Sequence, residues 1–222
     1  MKLEKEYIVN YYNNFYNKSD FKYYNEKISL KFLKVICKIC KIKPGSRILD
    51  LGCGTGIYTY LFQKLGYESI GIDISETAIK KAKEQYPLSK FEVMDALNLT
   101  FDKKYFDMIF LFGCSVVNTD VLEDIDAVFK YLIDYLKNGG YIVYIGGSNL
   151  SGKQCYNSEW YNHTLKELKK ISYNKSYKIK GPYLTHLRII YYLDKFGISK
   201  IISRILRIKL LNFQRKVIYF IN

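Results

Sequence analysis

The sequence predicts an α/β protein built on a doubly wound sheet, mostly parallel, with helices on both faces. Three observations carry this. From Arg47 to Gly146, short apolar strand patterns alternate with amphipathic helical patterns. A turn with three glycines follows the first strand, in "RILDLGCGTG". The segment "FDMIFLF" is almost wholly apolar, as a central parallel strand covered on both sides should be. At 222 residues and 49% hydrophobic content, the chain suits one domain with a sizeable core.

Each element has its own signal. An aromatic helix is expected through "YIVNYYNNFY", and a second where Ile28, Phe32, Val35, Ile36 and Ile39 keep helical spacing, closed by Pro44 and Gly45. "RILDL" is a strand and "IYTYLFQKL" a helix stopped by Gly66. "SIGID" is the next strand, and Ser75 is a good N-cap for the helix "SETAIKKAKEQ". "KFEVMD" and "FDMIFLF" are further strands. The helix "VLEDIDAVFKYLIDYLK" is expected to run up to Asn138, Gly139 and Gly140, with the strand "YIVYIG" after it. A polar, tyrosine-rich stretch from Gly147 to Tyr183 reads as an inserted helical cap, "THLRIIYYLDKFG" as a helix, and "ISKIISRILRIK" with "RKVIYFIN" as a C-terminal antiparallel hairpin completing the sheet. The isoleucines of "ISKIISRILRIK" also keep helical spacing, which leaves its strand assignment open. The expected organisation is an N-terminal helical lid (1–46), a ligand-binding core (47–146), a substrate-binding insertion (147–183) and a C-terminal helix with final strands (184–222).

The net charge of +14 is unevenly spread. Residues 1–46 carry ten lysines against four acids and residues 151–222 fifteen basic residues against three acids, whereas residues 47–150 carry ten basic residues against fourteen acids. Basic flanks around a mildly acidic centre imply an acidic substrate or an acidic surface. The five cysteines form no disulfide framework, and reduced thiols are expected. Cys37 and Cys40 form a C-x-x-C with neither a second ligand pair nor a preceding strand, so they read as core thiols one turn apart, and no metal site is expected. The start lacks an apolar h-region and no apolar run is long enough to span a bilayer. A cytoplasmic location is expected.

In an open parallel sheet, ligands bind beyond the carboxyl ends of the strands where the strand order reverses. Gly52, Gly54 and Gly56 sit on the first such turn, and without Cβ atoms they let a ligand press against backbone N–H groups. Their G-x-G-x-G spacing departs from the G-x-G-x-x-G of dinucleotide folds. Asp73, seventeen residues after Gly56, ends the second strand, and Asp95 ends the third. Carboxylates on consecutive strand tips favour a ligand with ribose hydroxyls, an exocyclic amine and an amino acid group, and would repel phosphate.

Taken in order, "LDLGCGTG", "GIDIS", "VMDALNL" and "LKNGGYIV" resemble the successive motifs of the class I S-adenosylmethionine-dependent methyltransferases, whose fold is Rossmann-like. The likeness covers roughly residues 47 to 146 and says almost nothing about the acceptor. It implies S-adenosyl-L-methionine as cofactor and S-adenosyl-L-homocysteine as product. It implies that Asp50, Gly52, Cys53, Gly54 and Gly56 hold the methionine end, that Asp73 with Ile74 takes the ribose, that Asp95 and Ala96 meet the adenine, and that Phe112 and Gly113 form the floor beneath the sulfonium. The same resemblance suggests the aromatic N-terminal helix as a lid over the cofactor, with a helix that simply packs equally open; Tyr12 and Tyr16 on it, with Trp160, are candidate substrate residues.

Methyl transfer needs alignment of nucleophile, carbon and sulfur, which can supply about 7 to 11 kcal/mol, and an oxygen nucleophile gains further from a placed base. His163, beside the chain's one tryptophan, Trp160, is the candidate base, with a structural role equally open. His186 lies in an apolar helical pattern where a packed or capping imidazole is the plainer reading, and substrate contact the alternative. Asn118, after the fourth strand, either orients the acceptor or makes an Asx turn or N-cap. No "N-P-P-Y" type sequence and no Pro-Cys dipeptide is present, which marks down amino methylation of nucleobases or glutamine and cytosine-C5 chemistry. The leading expectation is methylation, at oxygen, of a small anionic acceptor, a phosphorylated or nucleotide-linked metabolite such as a surface-glycan or capsule precursor. An RNA methyltransferase ranks second, because "KELKKISYNKSYKIK" interleaves lysines with tyrosines, and a non-catalytic cofactor-binding or membrane-surface partner subunit third.

Overall fold

A computed structural model describes residues 2–18 and 26–149, and beyond them 156–157, 160–161, 163–164, 167, 170, 179–185 and 215–221. The helices are α1 (Lys2–Lys18), α2 (Glu26–Ile39), α3 (Ile57–Lys64), α4 (Glu76–Gln85) and α5 (Leu122–Ile133), with a 3₁₀ turn at Ser115–Val117. The strands are β1 (Arg47–Leu51), β2 (Glu68–Asp73), β3 (Lys90–Val93), β4 (Phe106–Phe112), β5 (Leu136–Asn149), the short β6 (Tyr156–Asn157), β7 (Trp160–Tyr161) and β8 (His163–Thr164), then β9 (Ile179–Thr185) and β10 (Arg215–Ile221).

The main sheet runs β3-β2-β1-β4-β5-β10-β9, with β1 to β5 mutually parallel. The chain moves outward from β1 to β3 and then crosses back to β4, so the order reverses between β1 and β4. Both of those strands point their carboxyl ends at the same crevice.

The pleat divides the apolar residues between two cores. Ile48, Met108, Phe110, Val143 and Ile145 face α2 and α3, where Leu33, Ile36, Leu61 and Phe62 are buried. Leu49, Leu51, Ile109, Leu111 and Ile142 face α5, whose Ile125, Val128, Phe129 and Leu132 recur at helical spacing. A smaller cluster of Cys53, Ile79, Ala82 and Phe91 seats α4. Cys37 in α2 and Cys40 just past its end are buried core thiols, as the sequence implied, so α2 is a core helix, and among the described residues α1 is the helix over the crevice.

Helix α2 ends in a Schellman turn, with the Ile42 N–H donating to the Cys37 carbonyl at 2.9 Å and Lys41 in the left-handed region at φ 53°. Glycine is usual there. A lysine costs roughly 1–2 kcal/mol in that conformation.

Three boundaries differ from the sequence reading. Helix α5 stops at Ile133 and β5 already begins at Leu136, because the buried Tyr135 donates its hydroxyl to the Leu99 carbonyl (3.1 Å) while its own carbonyl accepts from Tyr105 and Phe106 N–H groups, each at 2.9 Å. Strand β3 ends at Val93, and Asp95 starts a turn whose side chain accepts from Leu97 N–H at 3.0 Å. The antiparallel strand expected at the C-terminal end is present as β10, but its partners are β5 and β9. Ile179–Thr185, placed by sequence partly in the insertion, is an edge strand of the main sheet, and its Gly181–Pro182 pair lies where the ladder to β10 shifts register. An edge tolerates a proline, which has no N–H to donate. Thr185, expected to open a helix, ends β9, and the rest of that helix (186–197) and residues 198–209, expected as the hairpin's other arm, lie outside the described residues. Within the expected helical cap, the described residues are the end of β5, the strands β6, β7 and β8, the helical residues Glu167 and Lys170, and the start of β9.

Candidate active site

The site grows from the turn after β1. Gly52 and Cys53 both donate their N–H to the Ile72 carbonyl at 2.9 Å, which bends the chain over the tip of β2. Gly56 then opens α3 at φ 84°, and a Cβ on it would stand 2.5 Å from the Phe91 ring. Only glycine fits both the backbone and the space.

Asp73 organises this turn. Its Oδ2 accepts the Gly54 N–H at 2.9 Å and its Oδ1 the Ser75 N–H at 3.0 Å. Ser75 caps α4 by accepting from Ala78 N–H at 3.1 Å, as its position suggested. Burial pushes the Asp73 carboxyl above the ordinary range, against the backbone hydrogen bonds that favour its charge. Each oxygen keeps acceptor capacity for another donor.

Asp50, at the end of β1, accepts the Thr59 hydroxyl at 2.6 Å. Burial pushes its carboxyl up to about 7, with the neighbouring Asp73 charge adding to the effect. Burial raises Asp95 too, but the Lys5 ammonium at 2.6 Å and the Leu97 N–H outweigh it and hold that carboxyl below the usual range. Ile74 and Ala96, next to these acids, are half-buried. The Cys53 and Cys114 thiols are buried and pushed up, Cys114 to about 12. They stay protonated at neutral pH and are poor nucleophiles.

Phe112 closes β4, its ring 4.8 Å from Tyr58, and Gly113 follows at φ 60° with open space where a Cβ would be. Asn118 is neither the N-cap of α5, which is Val121, nor detached from the segment beyond β5. Its side-chain Oδ1 accepts the Tyr161 N–H at 2.7 Å and so ties β7 to the loop after β4. His163 follows on β8, paired with Ser148 of β5. The backbones of Trp160 and His163 are thereby placed, while their side chains, and His186 altogether, lie outside what is described.

Helix α1 covers the crevice through contacts that no local sequence pattern signals. Asn13 Oδ1 accepts from the Ser75 hydroxyl (2.7 Å) and Thr77 N–H (3.3 Å), Lys81 donates to the Tyr16 carbonyl, and Lys5 reaches Asp95. The Tyr16 hydroxyl stands 2.6 Å from where a Gly54 Cβ would be. Tyr12 packs edge-on against Tyr11 and Phe15. Thus α1 touches the glycine turn, the start of α4 and Asp95 at once. Asn13→Ala removes two of these bonds, and hydrogen exchange in α1 is expected to accelerate roughly fivefold to tenfold. Exchange unchanged in that variant would show that other contacts hold the helix.

Comparison with known proteins fits this geometry. The profile of the family described as a methyltransferase domain matches residues 48–140. Demethylmenaquinone methyltransferase of Staphylococcus saprophyticus is 32% identical over 169 residues, covering 70% of each chain. This chain belongs to the class I S-adenosylmethionine-dependent methyltransferases. The fold agrees: a S-adenosylmethionine-dependent methyltransferase from Clostridium acetobutylicum superposes with TM-score 0.63 at 15% identity, over 96% of this chain and 98% of that one. Phosphoethanolamine N-methyltransferase 2 of Haemonchus contortus, whose structure holds phosphomonomethylethanolamine and S-adenosylhomocysteine, superposes with TM-score 0.59 at 17% identity, over 86% of this chain and 51% of that one. Several other curated methyltransferases align along only 33 to 42% of their own length. The methyltransferase cofactor, S-adenosylmethionine, fits the residues present, since the turn is a cradle that a Cβ would fill and the neighbouring acids are acceptors of the kind hydroxyl and amine groups require. Among the described residues no group of three or more His, Cys, Asp or Glu is arranged to hold a metal ion, and no helix is long and apolar enough to cross a membrane.

Proposed function

We propose that this methyltransferase methylates a small anionic acceptor, at oxygen, in the cytoplasm. The observation that carries the methyl-transfer part of this reading is Asp73, tied to Gly54 and Ser75, with acceptor capacity left on both oxygens for the cofactor. The cofactor, when bound, supplies a methyl carbon made electrophilic by its positive sulfur. Asp73 would take the ribose hydroxyls, Asp95 and Ala96 the adenine, and Asp50 the amino group of the methionine end. Phe112 and Gly113 form the floor, while Tyr12 and Tyr16 roof the crevice and exclude water. Asn118 anchors β7, which carries Trp160 and leads into β8 with His163, and His163 is assigned as the base that takes the acceptor's proton.

Support for an anionic acceptor comes from the basic flanks of the sequence and from the phosphate-bearing ligand of the Haemonchus contortus structure. The test is transfer of labelled methyl from S-adenosylmethionine to pools of phosphorylated and nucleotide-linked metabolites, with RNA in parallel. Label in an acidic small molecule is expected. Label in RNA alone would replace this reading by the nucleic-acid one.

Asp50 also sets a pH dependence. Its carboxyl is protonated below about 7 in the free protein, and an ammonium brought against it favours the charged form. Binding therefore expels a proton below that pH. Cofactor affinity should rise by up to about tenfold per unit as pH climbs toward 7 and level off above it. Calorimetry in buffers of different ionisation enthalpy near pH 6.5 reads the released proton, and no release would separate Asp50 from the amino group.

A further inference from the structure

The outer face of α2 takes no part in the site described. Lys27, Lys31, Lys34 and Lys38 recur at intervals of four, three and four residues, which sets them in one line about 16 Å long. All four are exposed, and Lys41 and Lys43 continue the positive charge past the helix end. Among the described residues no ion pair joins Lys27, Lys34, Lys38, Lys41 or Lys43 to an acid, while Glu26, the one acid of the helix, is paired with Lys64 at 2.5 Å.

Two further observations mark this face. A groove of about 360 Å³ opens between Glu26, Lys27, Leu30, Lys31 and Lys34, large enough for a phosphate headgroup. Lys41 occupies the left-handed position where glycine relieves strain, so the charge is kept at a conformational cost.

We propose that this lysine face docks the protein on a bilayer surface bearing anionic phospholipids. Charge complementarity selects an anionic partner. The neighbours of the lysines select lipid over nucleic acid. Half-buried Leu30 borders the row on one side, and half-buried Val35 with Ile39, which is 47% exposed, on the other. Aliphatic fringes gain from contact with the headgroup–acyl boundary and gain nothing from a sugar–phosphate backbone. The row itself carries no arginine, aromatic, asparagine or glutamine side chain that would fork onto phosphates or stack on bases. With its opposite side buried in the core, α2 adsorbs as part of the folded domain and does not insert. The inference is independent of the acceptor.

The test is sedimentation of the full chain with vesicles of phosphatidylcholine alone or with a quarter phosphatidylglycerol, at physiological salt. The wild type is expected to pellet with the anionic vesicles only. Reversal of Lys27, Lys34 and Lys38 to glutamate should weaken that binding about a hundredfold, from roughly fivefold or more per lysine. The same reversal at exposed Lys80, Lys83 and Lys90 should change it less than about threefold. Lys41→Gly should raise the melting temperature by a few degrees while weakening vesicle binding about fivefold, a pairing that a purely structural lysine would not give. Failure of the wild type to pellet overturns the proposal. So do equal losses in the two triple variants, which would mean overall charge alone, or tighter binding to duplex RNA that only the α2 variant loses.

Discussion

With asparagine at position 73, S-adenosylmethionine should bind at least a hundredfold more weakly. Two hydroxyl bonds to a carboxylate are worth roughly 1.5–3 kcal/mol each, and an amide accepts on one side only. The internal geometry adds to this loss. Both Asp73 oxygens already receive a backbone N–H, so the amide nitrogen must face the N–H of Gly54 or that of Ser75 as a second donor. The glycine turn loosens whichever way the amide is oriented. Calorimetry on a variant with wild-type circular dichroism checks the expectation, and unchanged affinity would remove Asp73 from the site.

The second large effect is on stability. Gly56→Ala should lower the melting temperature by roughly 5–15 °C, since the left-handed backbone at φ 84° costs about 1–2 kcal/mol and the Phe91 ring at 2.5 Å adds an overpacking cost of about 1–3. Gly45→Ala is the control. Gly45 has φ 79° but nothing within 4 Å of the added carbon, so it should show the backbone cost alone. Equal drops in the two variants would mean that Phe91 and α4 give way without strain.

Strands β1, β2 and β4 were legible because a largely buried parallel strand is a short apolar run, here followed by glycine or ending in an acid; β3, an edge strand with one buried residue, was legible only from its place in the alternation. The end of α5 was not, because Tyr135 is drawn out of the helix by Leu99, Tyr105 and Phe106, none of which a helical pattern can reveal. Strand β9 was hidden for a different reason. Its central Gly181–Pro182 pair reads locally as a break, and only the edge position beside β10 makes it a strand. In the site, Asp50, Asp73 and the glycines were visible as a spaced motif. Thr59, Asn13 and Lys5 were not, since their roles depend on contacts made across the fold, Thr59 one turn into α3 and the other two from α1.

The position of β10 has a consequence for synthesis. It leaves the ribosome after every other described strand, yet it fills the space between β5 and β9. Until it arrives, the long backbone of β5 offers unpaired amide and carbonyl groups on one side, an invitation to pairing between nascent chains. Truncation ahead of Arg215 should therefore yield a chain that precipitates during expression even though every element of the cofactor crevice has already been made.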